Sequence, residues 1–87
     1  MSYYVYIVRC SDNSLYTGIT TDINRRIHEH NETKKGAKYT KSRRPVSLVY
    51  SALIGDRSSA QKEEYRIKKL SKIKKQELVD NWITANN

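Results

Sequence analysis

The sequence predicts an α+β fold: a small three-stranded antiparallel sheet flanked by about three helices, in the order β-β-α-β-α-α. Three observations carry that prediction. Two short runs rich in aromatic and β-branched residues lie near the N-terminus with turn residues between them. A third such run follows Pro45. Elsewhere apolar residues recur at helical spacing, each stretch preceded by a capping residue. A chain of 87 residues has room for a single domain, spanning 1–87, and for one thin core.

Residues 3–9 (YYVYIVR) read as the first strand. Asp12-Asn13-Ser14 is turn chemistry, and residues 15–19 (LYTGI) form a second strand close enough to pair as an antiparallel hairpin. Thr20 or Thr21 is expected to cap a helix that begins at Asp22 and runs to about Asn31, because a carboxylate suits a helix N-terminus. Residues 32–45 (ETKKGAKYTKSRRP) are polar and basic, and a loop is expected there. Residues 46–53 (VSLVYSAL) give the third strand. Gly55-Asp56 opens a helix over about 57–70, and Ser71 caps a last one over 72–84, packed through Ile73, Leu78, Trp82 and Ile83.

Composition narrows the class of function. No apolar run approaches the roughly 18 residues of a membrane span, so no membrane partner is expected. The N-terminus lacks the basic start and small-residue cleavage site of a signal peptide. Cys10 is the only cysteine, which rules out an internal disulfide and a cysteine zinc site. A reducing, cytoplasmic setting is expected. The formal net charge is +8, and it is concentrated. Residues 25–44 hold eight Lys/Arg against Glu29 and Glu32, a net of +6, and residues 57–75 hold eight against Glu63 and Glu64, again +6. Two dense cationic blocks are the footprint of a polyanion site, since each phosphate contact releases counterions.

Several polar residues fall where apolar ones are expected. With Ile23 at zero and about 100° per residue, Ile27, His30 and, at the border, Arg26 share one stripe of the first helix, while Arg25 and His28 face away. On the next helix Glu64 lies among Ala60, Ile67 and Ser71, and Glu63 lies to the side. A carboxylate on an apolar stripe needs a cation, whether Arg26, a lysine or a metal. Tyr4 and Tyr6 alternate onto one face of the first strand. Tyr16 and Gly18 share a face of the second, and the missing side chain of Gly18 permits a close approach to the backbone. Tyr6, Tyr16, Arg26, His30 and Glu64 can thus converge on one cleft, with hydroxyls for protons, a guanidinium for a phosphate and a carboxylate for a metal.

On these residues the chain resembles the GIY-YIG nuclease superfamily. Tyr4-Val5-Tyr6 and Tyr16-Thr17-Gly18 stand where the family has its two triplets, with the second tyrosine ten residues after the first. YTGITTDINRRIHEH is similar to the family's segment bearing an arginine and a histidine, which fall on Arg26 and His30, and AQKEEY to the segment bearing its glutamate, which falls on Glu64. GAKYT…RRPVSLVY looks like the small stand-alone bacterial members. Tyr4 replaces the usual glycine, and Asn81 is not anchored to the family's late asparagine.

The resemblance implies an endonuclease that hydrolyses phosphodiester bonds in DNA, branched or damaged forms included, in repair or recombination. It implies a single Mg²⁺ or Mn²⁺ on Glu64, a phosphate clamp at Arg26, and a proton acceptor at Tyr6 or Tyr16. His30 would orient the phosphate or a tyrosine, with Gly18 and Thr20 supporting the site. Lys38, Arg43, Arg44, Lys68 and Lys69 are the candidate backbone contacts. Nothing in the residues distinguishes RNA from DNA. With no attached targeting domain in the sequence, a partner protein supplying specificity is part of the reading. The alternatives are a nucleic-acid-binding module of the same fold without catalysis, and an interaction domain that its charge merely keeps soluble.

Overall fold

In the computed structural model, which describes residues 1–87, the chain runs β1 (Tyr3–Arg9), β2 (Leu15–Thr20), α1 (Ile23–Glu32), α2 (Lys38–Lys41), β3 (Ser47–Gly55), α3 (Arg57–Lys68) and α4 (Lys72–Ala85). The sheet order is β2-β1-β3, antiparallel throughout. The hairpin closes where expected. Asn13 adopts the left-handed conformation (φ 68°), and the Asp12 carboxylate accepts from the Ser14 backbone N–H at 3.0 Å.

The strand and long-helix boundaries agree with the sequence reading to within two residues, but three local expectations change. Asp22, not a threonine, caps α1, its carboxylate accepting from Arg25 N–H at 3.0 Å. Thr20 instead braces the turn, its hydroxyl accepting from Asp22 N–H and donating to Asp22 C=O. The expected loop contains the one-turn helix α2, which hydrophobic periodicity cannot reveal in four residues. Ile73 of α4 is exposed, and Val79 is the residue that α4 buries.

The larger difference concerns the core. Val5, Tyr6, Ile7 and Val8 are all buried, because β1 is the middle strand and both of its faces are covered. Alternation then sorts the apolar groups into two clusters. Val5 and Ile7 pack with Val49, Ile67 of α3 and Val79 of α4. Tyr6 and Val8 pack with Cys10 and Val46, against Ile23 and Ile27 of α1. The single core expected from chain length is therefore two thin layers, with α1 on one face and α3 and α4 on the other.

Polar ties fix α1 and the segment after it. The Asn31 side-chain amide pairs with the backbone of Val46, accepting from its N–H at 2.7 Å and donating to its carbonyl at 3.0 Å. The Arg44 guanidinium donates to the carbonyls of His30 (2.6 Å) and Thr33, meeting carbonyls that the end of α1 leaves open. Gly36 allows the loop to lie on α1, since a Cβ there would stand 2.8 Å from the Glu29 carbonyl oxygen.

Candidate active site at the junction of the sheet and helix α1

Tyr6 and Gly18 are directly paired across β1 and β2. A Cβ on Gly18 would lie 2.6 Å from the Tyr6 hydroxyl oxygen, so only glycine leaves the phenol its place. The Tyr6 hydroxyl meets His30 Nε2 at 2.7 Å, and the His30 Nδ1 meets the Thr40 hydroxyl at 2.9 Å. His30 is fully buried, as its position on the α1 stripe implied. Burial, with the charge of Arg26 acting in the same sense, lowers its pKa to about 4, so the imidazole is neutral at pH 7. Burial also pushes Tyr6 up to about 12, against the opposing pull of Arg26, so its phenol is held protonated.

Arg26 sits at the border of the stripe. Its Nη1 donates to Glu29 Oε1 at 2.9 Å and to the Lys35 carbonyl at 2.8 Å, which anchors one end of the fork. Its Nε and Nη2 carry no carboxylate partner, and the guanidinium lies beside the Tyr6 hydroxyl. Arg25 points outward, with over half of its side chain exposed. Tyr16, on β2, turns its ring edge to His30 at 5.5 Å between centroids. Its other neighbour is Tyr39 of α2, stacked at 5.9 Å, over which Arg43 places its guanidinium at 3.9 Å. Four of the five residues expected to converge do so: Tyr6, Tyr16, Arg26 and His30.

Glu64 comes from the other layer, on α3. No hydrogen bond joins it to the four, but its charge reaches the Tyr6 hydroxyl and contributes to raising that phenol. Its cation is a lysine, Lys68, at 3.3 Å from Oε2. Glu63 is about as exposed as Glu64, but Arg66 grips it with two contacts of 2.7 and 2.6 Å. Availability, more than burial, distinguishes the two carboxylates. The donor set suits a hard cation held by one carboxylate, since Mg²⁺ retains several waters and completes its shell with substrate phosphates. No group of three His, Cys, Asp or Glu side chains exists to form an all-protein cage.

The basic residues divide. Lys38 is exposed and without a carboxylate partner, Lys69 lies 4.4 Å over the Tyr65 ring, and Lys68 pairs with Glu64. Arg43 binds Asp12 at 3.0 Å and ties the hairpin loop to α2. Arg44 is committed to the end of α1. Sequence reasoning did not single out Tyr39 and Thr40. They lie in a basic tract without periodicity, and only folding sets them against Tyr16 and His30.

A layout of tyrosines on neighbouring strands, with an arginine and histidine one helical turn apart, on a three-stranded sheet, defines a class, and similarity agrees with it. Residues 2–77 match the GIY-YIG catalytic domain, and the chain belongs to the GIY-YIG family, within its UPF0213 group. It is 60% identical to the UPF0213 protein DP2720 of Desulfotalea psychrophila over 78 residues, covering 90% of this chain and 71% of that one. The UPF0213 protein SH2523 of Staphylococcus haemolyticus is 53% identical, with 90% and 94% covered. Among solved structures, the UPF0213 protein BH0048 of Bacillus halodurans superposes with a TM-score of 0.59 at 48% identity, covering 92% of this chain and 84% of that one. The protein EF2693 of E. faecalis gives 0.63 at 38% identity, with 97% and 88% covered. The domain is thus of nuclease type. No helix is long and apolar enough to cross a membrane.

Proposed function

We propose that this chain is a divalent-metal-dependent endonuclease that hydrolyses phosphodiester bonds in DNA, including branched or damaged forms met in repair. The observation that supports it most is the Tyr6–His30 contact, with the free side of Arg26 beside it, on a domain of net charge +8. Water attacks phosphorus, the bond to the 3′-oxygen breaks and that oxygen takes up a proton from solvent, and the water's proton moves to the Tyr6 oxygen as the phenol's own proton passes to His30 Nε2. This relay suits a phenol that is protonated at rest and an imidazole that is neutral. Arg26 Nε and Nη2 bind the phosphate oxygens and offset the charge that develops on them. Glu64 would hold one Mg²⁺ or Mn²⁺, which when bound supplies positive charge at the leaving oxygen. Lys38, Lys69 and the other exposed cations of the two basic blocks carry the backbone of the nucleic acid. A reducing, cytoplasmic location and a partner protein that directs the domain to its targets belong to the same reading.

The test is a panel of linear, nicked, flapped and junction DNA, with RNA alongside, each with Mg²⁺ and with Mn²⁺. Cleavage of at least one substrate is expected, and its loss in Glu64→Ala and Arg26→Ala. Glu64→Ala should leave unfolding free energy within about 1 kcal/mol, since it removes only a partly exposed lysine pair. Binding that weakens with salt, without cleavage of any substrate, would identify a binding module instead.

A further inference from the structure

We infer that Thr40 is a positioning residue: its hydroxyl holds His30 in the tautomer that carries its proton on Nδ1, leaving Nε2 as the acceptor for the Tyr6 hydroxyl hydrogen. An account of donors and acceptors gives this result from both ends. At one end, the Tyr6 hydroxyl has His30 Nε2 as its hydrogen-bond partner at 2.7 Å, and the Arg26 guanidinium beside it can only donate. The phenol hydrogen therefore has one acceptor, Nε2, and Nε2 must be unprotonated. At the other end, the Thr40 hydroxyl donates to the Ala37 carbonyl at 2.9 Å. Its single hydrogen is thereby used, and its oxygen is left to accept from Nδ1 at 2.9 Å.

The hydrogen bonds then run in one direction, from Tyr6 through His30 and Thr40 to the Ala37 carbonyl, and all three side chains are buried. Reversing them would turn the Tyr6 hydrogen toward a cation and leave it without an acceptor among the protein groups, the less favourable arrangement. The other groups around the imidazole do not choose between its nitrogens. Tyr16 meets it by a ring edge, Glu29 and Arg44 act only through charge, and Arg44 is bonded to the His30 backbone carbonyl. The choice falls to Thr40, which the one-turn helix α2 presents.

The catalytic half of this inference rests on the nuclease reading; the tautomeric half does not. Long-range ¹H–¹⁵N correlation spectra of the labelled protein at pH 7 read it directly. In the wild type, His30 should show a protonated Nδ1 and an unprotonated Nε2, and the opposite pattern would overturn the inference without any variant. Thr40→Val, which exchanges hydroxyl for methyl, should let the Nε2-protonated form appear, and Thr40→Ser should restore the wild-type pattern. On whichever DNA the panel shows to be cut, Thr40→Val should lower kcat by about 10- to 100-fold with little change in KM, and Thr40→Ser should recover most of it. A Thr40→Val protein that is folded and keeps the wild-type tautomer would show that Thr40 only fills space. The expected tautomers without any cleavage would refute the nuclease reading and leave the positioning intact.

Discussion

Replacing His30 with Gln removes the one imidazole that the fold encloses completely, and the effect on stability should depend on pH in a calculable way. Above pH 6.5 the imidazole is neutral in both folded and unfolded chains. Below it the unfolded chain takes up a proton, while the folded one resists until about pH 4. The unfolded state therefore binds more protons throughout that window, and the wild type loses stability as pH falls through it. At about 1.4 kcal/mol per pH unit, the loss by pH 4 is about 3 kcal/mol, a large share of what a domain of this size possesses. Glu29, Glu63, Asp12 and Asp56 are also held below the ordinary carboxylate range, each chiefly by a hydrogen bond from its neighbour, and they too destabilise the fold in acid. Their contribution is common to wild type and His30→Gln, so it cancels in the difference. Urea unfolding followed by circular dichroism at pH 7.0, 5.5 and 4.0 should show the two proteins converging as pH falls, the wild type losing about 3 kcal/mol more than the variant. Parallel curves would mean that the imidazole titrates alike folded and unfolded, and the buried neutral histidine on which the relay depends would not exist.

Three other outcomes follow from the same geometry. Gly18→Ala should cost about 1–3 kcal/mol by overpacking, since its Cβ would press on the Tyr6 hydroxyl at 2.6 Å and on Cζ at 2.8 Å; a thermal melt measures it, and an unchanged melting temperature would contradict the close approach. Ile67→Ala should cost about 2–5 kcal/mol and Ile73→Ala less than about 0.5 kcal/mol, because the first is enclosed by both helices' layer and the second is 73% exposed; urea midpoints decide. Arg44→Met should destabilise the fold by about 1–3 kcal/mol through the carbonyls it uncaps at the end of α1, whereas Lys38→Ala should leave stability unchanged and flatten the salt dependence of DNA binding by about one phosphate contact.

The contrast between Arg44 and Lys38 shows where reading a chain without its fold stops. Both belong to the same basic block, and nothing local separates a guanidinium that bonds a helix carbonyl fourteen residues upstream from an ammonium that faces solvent. Arg43 is alike: its partner, Asp12, lies in a distant hairpin loop. The helical wheel succeeded with Arg26 and His30 because the sheet face that α1 covers sets which side of that helix is inward, and a period of 3.6 residues reports the same side. It was less decisive for α3, where Glu63 and Glu64 are similarly shielded and differ in their partners. Ile73 was misplaced for a related reason. One apolar residue at the start of a helix does not reveal whether the rest of the fold covers it.

Local chemistry was enough to define the strands, the hairpin, the three long helices and the polar residues that interrupt their apolar stripes, since each depends on residues a few positions apart. The inward positions of Tyr6, Tyr16, Arg26 and His30 could likewise be read in advance, because each lies on an element with a legible period. Chain topology decided the rest. Placing β1 between β2 and β3 gave it two covered faces, divided the core into two layers, and brought α1 and α3 to it from opposite sides. The same placement brought Thr40, from a short helix with no pattern of its own, to His30. A hydrogen bond between side chains ten residues apart across a loop has no periodicity to announce it; it exists only once the Arg44 and Asn31 ties have fixed that loop against the end of α1.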